Sequence, residues 1–420
     1  MPDALRGFRG RVALVALAGV AVRLFYVYVL SPDTRGIGDW FYFHWQANLV
    51  ADGKGFIEPF SYMLEGKEIA SASHPPLWTL LLSGVSKLGY TGFHAHRAAG
   101  CVLAGATIFA IAYLGRRAGG ERVGLLAAGL FAAYPLMIAA DGSLMSEALY
   151  SLTIALLLLA AYRLLDRPST RAALALGAAI GFATLVRSEA LLFIPLVALP
   201  LAWRAGEHRL RTAGLAVLAT LVVLTPWTVR NVTTFDYPVV VSTNGPAALK
   251  GANCPETYSG PNIGYWEIGC IGFTGRDKLN EAKAGRQWTR DALGFMRDHR
   301  GELPAVLAAR VGRTWDVFQT RRMIPFAEGR HPDAERAGLV MYFLLLPLGA
   351  WGALVLRRRG QRLLILLAPA LLVTLVSLAV YGIPRFRHAF EIPLVVLAAI
   401  ALASLGEAGA ARLAARRASA

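Results

Sequence analysis

The chain is a succession of apolar runs, each close to the length of a bilayer crossing, separated by short clusters of arginine. A helix needs about 20 apolar residues to cross a hydrocarbon core of about 30 Å. Runs near that length occur at 12–30, 98–115, 123–140, 145–163, 172–187, 189–203, 212–228, 338–356, 363–381 and 389–406. The pattern predicts an all-α integral membrane protein with about ten transmembrane helices. Composition agrees, because 55% of the 420 residues are hydrophobic and only 17% charged, against about 25% charged in soluble chains. The first run follows Arg6, Arg9 and Arg11 in the manner of a signal peptide. It is long, it contains Arg23 and it lacks a small-residue cleavage site, so it reads as an uncleaved helix.

Arginine placement gives the orientation. Clusters of three or four lie before the first run, at Arg116, Arg117 and Arg122, at Arg163, Arg167 and Arg171, at Arg204, Arg209 and Arg211, at Arg357, Arg358, Arg359 and Arg362, and in the tail at Arg412, Arg416 and Arg417. The short loops on the other side hold Arg187, Arg385 and Arg387. Excess positive charge marks the cytoplasmic side, which predicts both termini in the cytoplasm and the long loops 31–97 and 229–337 outside a plasma (inner) membrane. The formal net charge of +16 is thereby a membrane signature. Its dispersal between apolar runs excludes a nucleic-acid interface.

Residues 76–88 are apolar but number only 13, roughly 20 Å of helix, so they are expected to lie along the outer surface. In the large loop, 238–274 is rich in Gly, Pro, Asn and Thr and predicts turns with short strands. The segments 278–299 and 303–318 show helical spacing of apolar residues. The organisation expected is a seven-helix catalytic module over 1–228, a large extracytoplasmic loop over 229–337, and C-terminal helices with a cytoplasmic tail over 338–420. Cys254 and Cys270 share the large loop, where a disulfide or two free thiols are equally open; Cys101 sits in an apolar run as packing.

Charged groups at span ends need a reason. On the outer side these are Asp39, His74, Asp141, Glu147, Arg187, Glu189, Arg230, Arg385, Arg387 and His388. They come from every outer loop, so helix packing can converge them on one pocket. Asp39 could serve as general base to an acceptor hydroxyl, or cap a helix over 40–51. His74 opens the surface helix in His74-Pro75-Pro76-Leu77 and could contact a phosphate or a metal, or simply occupy a turn. Glu147 and Glu189 suit first helical turns, and Glu189 could instead pair with Arg187. Arg230 and Arg385 offer non-titrating bidentate contacts to phosphate, or to lipid headgroups. Arg23, inside the first run, needs an acid from a neighbouring helix, with Asp141 as candidate. No P-loop, dinucleotide fingerprint, serine triad or Cys-rich metal site occurs.

The ordered set Gly38-Asp39, His74-Pro75-Pro76-Leu77, Arg187-Ser188-Glu189, Pro226-Trp227-Thr228-Val229-Arg230-Asn231, Ser242-Thr243-Asn244-Gly245 and Pro384-Arg385-Phe386-Arg387-His388 resembles the GT-C superfamily of membrane glycosyltransferases. The likeness is to its protein O-mannosyltransferase and aminoarabinose-transferase-like members (families 39 and 83). The resemblance implies a GT-C fold and inverting transfer of a sugar from a polyprenyl-phosphate carrier to a glycan, lipid or protein acceptor, beside membrane lipids. Asp39 matches the first-loop acid and is the implied catalytic base. His74 falls where relatives often carry lysine. His74, Arg187, Glu189, Glu147, Arg230, Arg385 and His388 are the implied substrate and phosphate contacts. Superfamily members differ in needing a divalent metal cation; Asp39, His74 and Glu147 are the candidate ligands here. The chain is short for a protein mannosyltransferase, which favours a lipid-linked or cell-envelope glycan as acceptor. A transporter or flippase of lipid-linked sugars is the alternative.

Overall fold

The computed structural model describes residues 7–33, 38–272, 280–324 and 328–418. Arg6 and residues 273–274 and 278–279 of the expected loop elements lie outside them. The first part of the chain contributes α1 (Phe8–Phe25), which widens into a π-helical turn over Tyr26–Leu30, then α2 (Asp39–Ala51), α3 (Pro59–Glu65) and α4 (Pro76–Lys87). The long apolar helices α5 (Phe93–Gly119), α6 (Glu121–Ala133), α7 (Pro135–Asp141), α8 (Glu147–Asp166) and α9 (Thr170–Thr184) follow. After them come the short α10 (Leu199–Ala202), α11 (Arg209–Thr234), α12 (Asn244–Gly251), α13 (Pro255–Tyr258), α14 (Glu281–Asp298), α15 (Leu303–Thr314) and α16 (Thr320–Met323). The chain closes with α17 (Pro332–Arg358), α18 (Leu364–Ala379) and α19 (His388–Ala418).

All ten apolar runs are at least partly helical, but the expected count of about ten spans is not reached on length and composition. Among the described residues, six helices are long and apolar enough to cross a membrane, or seven if the pair α6–α7 is one bent span. That pair turns by 65° at Pro135, where the ring removes an N–H and leaves Tyr134 extended. Runs 172–187, 189–203 and 363–381 are shorter apolar helices. Ser188–Ala202 alternates 3-10, π and α turns, with prolines at 195 and 200 interrupting its hydrogen-bond ladder.

The strands expected in 238–274 do not form over the described residues 238–272. Among the described residues the only β contact is the bridge Ile57–Ala70. Pro255 and Pro261 instead stand in the first turns of short helices, where a missing N–H costs nothing. Cys254 and Cys270 are joined in a disulfide, Cα atoms 6.1 Å apart, while Cys101 is a buried free thiol.

Small residues allow the bundle to close. A Cβ on Gly177 of α9 would stand 2.0 Å from the Ala216 carbonyl oxygen of α11, and one on Gly352 of α17 would stand 1.9 Å from that of Leu397 on α19. Within the bundle, Arg23 meets the acid its burial demands. Its Nε donates to Asp141 Oδ2 at 2.6 Å, and its other nitrogens donate to the carbonyls of Gly19, Phe131 and Ala132. A fully buried guanidinium is tolerable only when its donors are satisfied in this way.

Candidate active site

The ends of α1, α7, α9 and α18 and the starts of α5, α8 and α19 meet at one end of the bundle, and α2 and α4 pack over it. Gly38 caps α2, so the Asp39 carboxylate makes no capping bond and is free to turn inward. This corrects the expectation that Asp39 itself caps 40–51. Pro76 opens α4, whose start is fastened by Leu77 N–H to the Leu185 carbonyl (2.9 Å) and by Trp78 Nε1 to the Leu144 carbonyl (3.2 Å). Just upstream, the half-buried Glu281 carboxylate accepts from Ser71 Oγ, Ala72 N–H and Thr243 Oγ1 at 2.6, 2.9 and 2.7 Å. His74 is thereby held between the rings of Tyr42 and Phe43.

Arg385 is the hub. It projects from the turn Pro384–Arg387, and each of its nitrogens faces a different carboxylate. Nε lies 2.5 Å from Glu147, Nη2 2.8 Å from Asp39 and Nη1 3.2 Å from Glu328. Arg187 extends the network, with Nη1 2.8 Å from Glu147 and Nε 2.6 Å from Glu189. Asp39 also faces His74 Nε2 at 3.5 Å. Burial alone would raise the Asp39 carboxyl, but His74 and Arg385 together hold it below the ordinary carboxylate value. Burial holds His74 below its usual value despite Asp39. Burial and the neighbouring Asp39 charge push the Glu328 carboxyl up.

A cavity of about 320 Å³ opens onto this network. Asp39, His74, Arg187, Glu189 and Arg385 form its polar side; Leu192, Leu375, Val376, Ala379 and Val380 form an apolar wall, and Ser242, Asn244 and Tyr381 close the rest. The room and the mixture suit a polar headgroup with an apolar tail.

The structure therefore brings together Asp39, His74, Glu147, Arg187, Glu189 and Arg385. Neither Arg230 nor His388 lines the cavity. Arg230 donates to the carbonyls of Ser71 and Phe56, both at 2.9 Å, and so shapes the loop that carries His74; it lines no part of the cavity. His388 is buried against Glu147, with Nε2 2.7 Å from Ser151 Oγ. Sequence reasoning missed Glu328 and Tyr381. Glu328 lies in no motif and meets Asp39 across 289 residues; Tyr381 could have been suspected from its place beside the Pro384 turn. Arg387 has a separate role. It pairs with Asp316 and Glu391, each at 2.6 Å, and lies 3.6 Å from the Tyr342 ring centre. These contacts anchor the turn that presents Arg385.

Asp39, His74 and Glu147 do not form a metal-ligand set in this arrangement, since the Arg385 guanidinium stands between Asp39 and Glu147. Among the described residues the His, Cys, Asp and Glu group close enough to share an ion is Cys254, Glu256 and Cys270. The two sulfurs of that group are consumed in the disulfide.

Residues 73–229 match the dolichyl-phosphate-mannose-protein mannosyltransferase family, a stretch that includes His74, Glu147, Arg187 and Glu189. No curated protein matches the chain. Among solved structures, an oligosaccharyltransferase from Archaeoglobus fulgidus, in complex with Zn and sulfate, superposes with a TM-score of 0.59 at 16% identity, over 96% of this chain and 50% of its own. The oligosaccharyltransferase AglB from the same organism, with an inhibitory peptide and a dolichol-phosphate, gives 0.55 at 15% identity, over 98% and 52%. ArnT from Cupriavidus metallidurans bound to undecaprenyl phosphate gives 0.40 at 16% identity, over 92% and 77%. The chain is similar to GT-C membrane glycosyltransferases in fold, as its ordered motifs implied, and it spans about half the length of the archaeal proteins.

Proposed function

We propose that this protein transfers a sugar from a polyprenyl-phosphate carrier to an acceptor hydroxyl at the extracytoplasmic face of the plasma membrane. The observation that carries the reading is a single cavity lined both by the paired Asp39 and Arg385 and by apolar residues of α18. The family match over 73–229 and the dolichol-phosphate bound by the archaeal protein of the same fold support it. The arginine clusters support the sidedness.

In this reading the carrier's hydrocarbon tail lies along Leu375, Val376 and Ala379, and its phosphate takes Arg385. Asp39 removes the proton of the acceptor hydroxyl as its oxygen bonds to the anomeric carbon. The bond from that carbon to the phosphate oxygen breaks with inversion, and the electron pair leaves on the polyprenyl phosphate. Fixed guanidinium charge beside the leaving oxygen stabilises the transition state more than the ground state. Glu147 and Arg187 position Arg385 and Glu189. The acceptor class we favour is a cell-envelope glycan or lipid, with protein as the alternative.

The test supplies purified full-length protein with radiolabelled polyprenyl-phosphate sugars and an envelope lipid extract. Label moving from carrier to acceptor is the expected result. Intact donor crossing vesicles without cleavage would replace this reading with transport.

A further inference from the structure

We propose that Glu328 is a built-in stand-in for the carrier phosphate: it occupies Arg385 in the empty site and yields it when donor binds, so that Glu328 sets donor affinity. This rests on the reading that Arg385 receives the phosphate.

All three Arg385 nitrogens are engaged by carboxylates. A phosphate that grips the guanidinium fork with two oxygens competes with them for its N–H groups and for the space around it. The three are not equally replaceable. Glu147 is 2% exposed, sits in the first turn of α8 and is shared with Arg187. Asp39, in the first turn of α2, makes a 2.8 Å contact and also faces His74. Glu328 makes the longest contact, 3.2 Å, is far more exposed than Glu147 and about as exposed as Asp39, and lies in a turn between α16 and α17 rather than on a helix. Its second anchor is weak as well: the Asp39 N–H donates to Oε2 at 3.3 Å. That approach exists because residue 38 is glycine; a Cβ there would stand 2.9 Å from the same oxygen.

Exchange of Glu328 for phosphate is chemically conservative, since both present oxyanion acceptors to the same N–H groups. It also limits the build-up of like charge. Two guanidiniums, Arg187 and Arg385, face four carboxylates, Asp39, Glu147, Glu189 and Glu328, so an incoming anion meets an excess of acid unless one withdraws.

The experiment titrates undecaprenyl phosphate into the full-length protein in nanodiscs, following tryptophan fluorescence. The proteins compared are wild type, Glu328→Gln, Glu328→Ala, Arg385→Lys and the double variant Glu328→Gln/Arg385→Lys, each checked for monodispersity. Both Glu328 variants should bind about fivefold more tightly, the effect of freeing one partly exposed ion pair. The gain should shrink in the Arg385→Lys background. If Arg385→Lys weakens binding while neither Glu328 variant tightens it, the stand-in role is wrong and the phosphate role of Arg385 survives. If Arg385→Lys binds as tightly as wild type, the underlying reading falls and this inference with it.

Discussion

Arg385 Nη2 lies 2.8 Å from Asp39 Oδ2, although 346 residues separate them in the chain. The contact ties the first long loop to the start of the last apolar helix, and it closes the polar side of the cavity. Together with His74 it keeps the Asp39 carboxyl below its ordinary value against burial, so the carboxylate is ionised at neutral pH.

General-base catalysis typically contributes about 10²–10⁴-fold. Asp39→Asn, which preserves size and removes the proton acceptor, should lower the rate of sugar transfer within that range. Undecaprenyl phosphate should still bind the variant. Transfer at the wild-type rate by a correctly folded Asp39→Asn protein would remove Asp39 from the reaction.

Arg23 and Asp141 form a buried pair at 2.6 Å that lines no part of the cavity, and should matter to stability rather than chemistry. Replacing Arg23 with Met leaves the carboxylate buried without its partner, a loss of about 3–5 kcal/mol. The double variant Arg23→Met/Asp141→Leu should regain most of it. Thermal unfolding in detergent checks both; equal losses in the single and double variants would count against the pair.

Glu281 gives a pH dependence of stability. Burial raises its carboxyl above the ordinary 4.5 in the folded protein, despite three donors. The folded state therefore binds its proton more tightly than the unfolded chain. That contribution is fully present below pH 4.5 and is lost as pH rises through the folded value. The stability advantage of wild type over Glu281→Gln should accordingly shrink between pH 4.5 and neutrality. A constant difference across that window in unfolding midpoints would contradict the sign.

The disulfide between Cys254 and Cys270 closes a loop of 16-residue separation, which in a chain-entropy account stabilises by about 3 kcal/mol. Cys254→Ala/Cys270→Ala should lower the unfolding midpoint. Intact-mass measurement of unreduced, denatured wild type should find one alkylatable thiol, Cys101.

Sidedness has a direct check. Single cysteines placed at Lys250 and Arg290, in a background without native cysteines, should react with a membrane-impermeant maleimide in intact cells, and one at Arg358 should not. The reverse pattern would put the cavity in the cytoplasm and end the proposed reaction.

What sequence by itself determined here is local and one-dimensional. Apolar run length produced the helices, proline placed the bend at Pro135 and the start of α4, and the cost of a lone charge in an apolar run made an acid partner for Arg23 necessary. Tertiary structure decided which polar groups meet. Arg230 and Arg385 look alike in sequence, arginines at span ends close to a proline. Packing sends the first to two backbone carbonyls and the second to three carboxylates. Glu328 joins them with no local signal at all. The reason is physical: helix formation depends on neighbours within a few residues, whereas an ion cluster forms wherever helices distant in sequence bring their ends together.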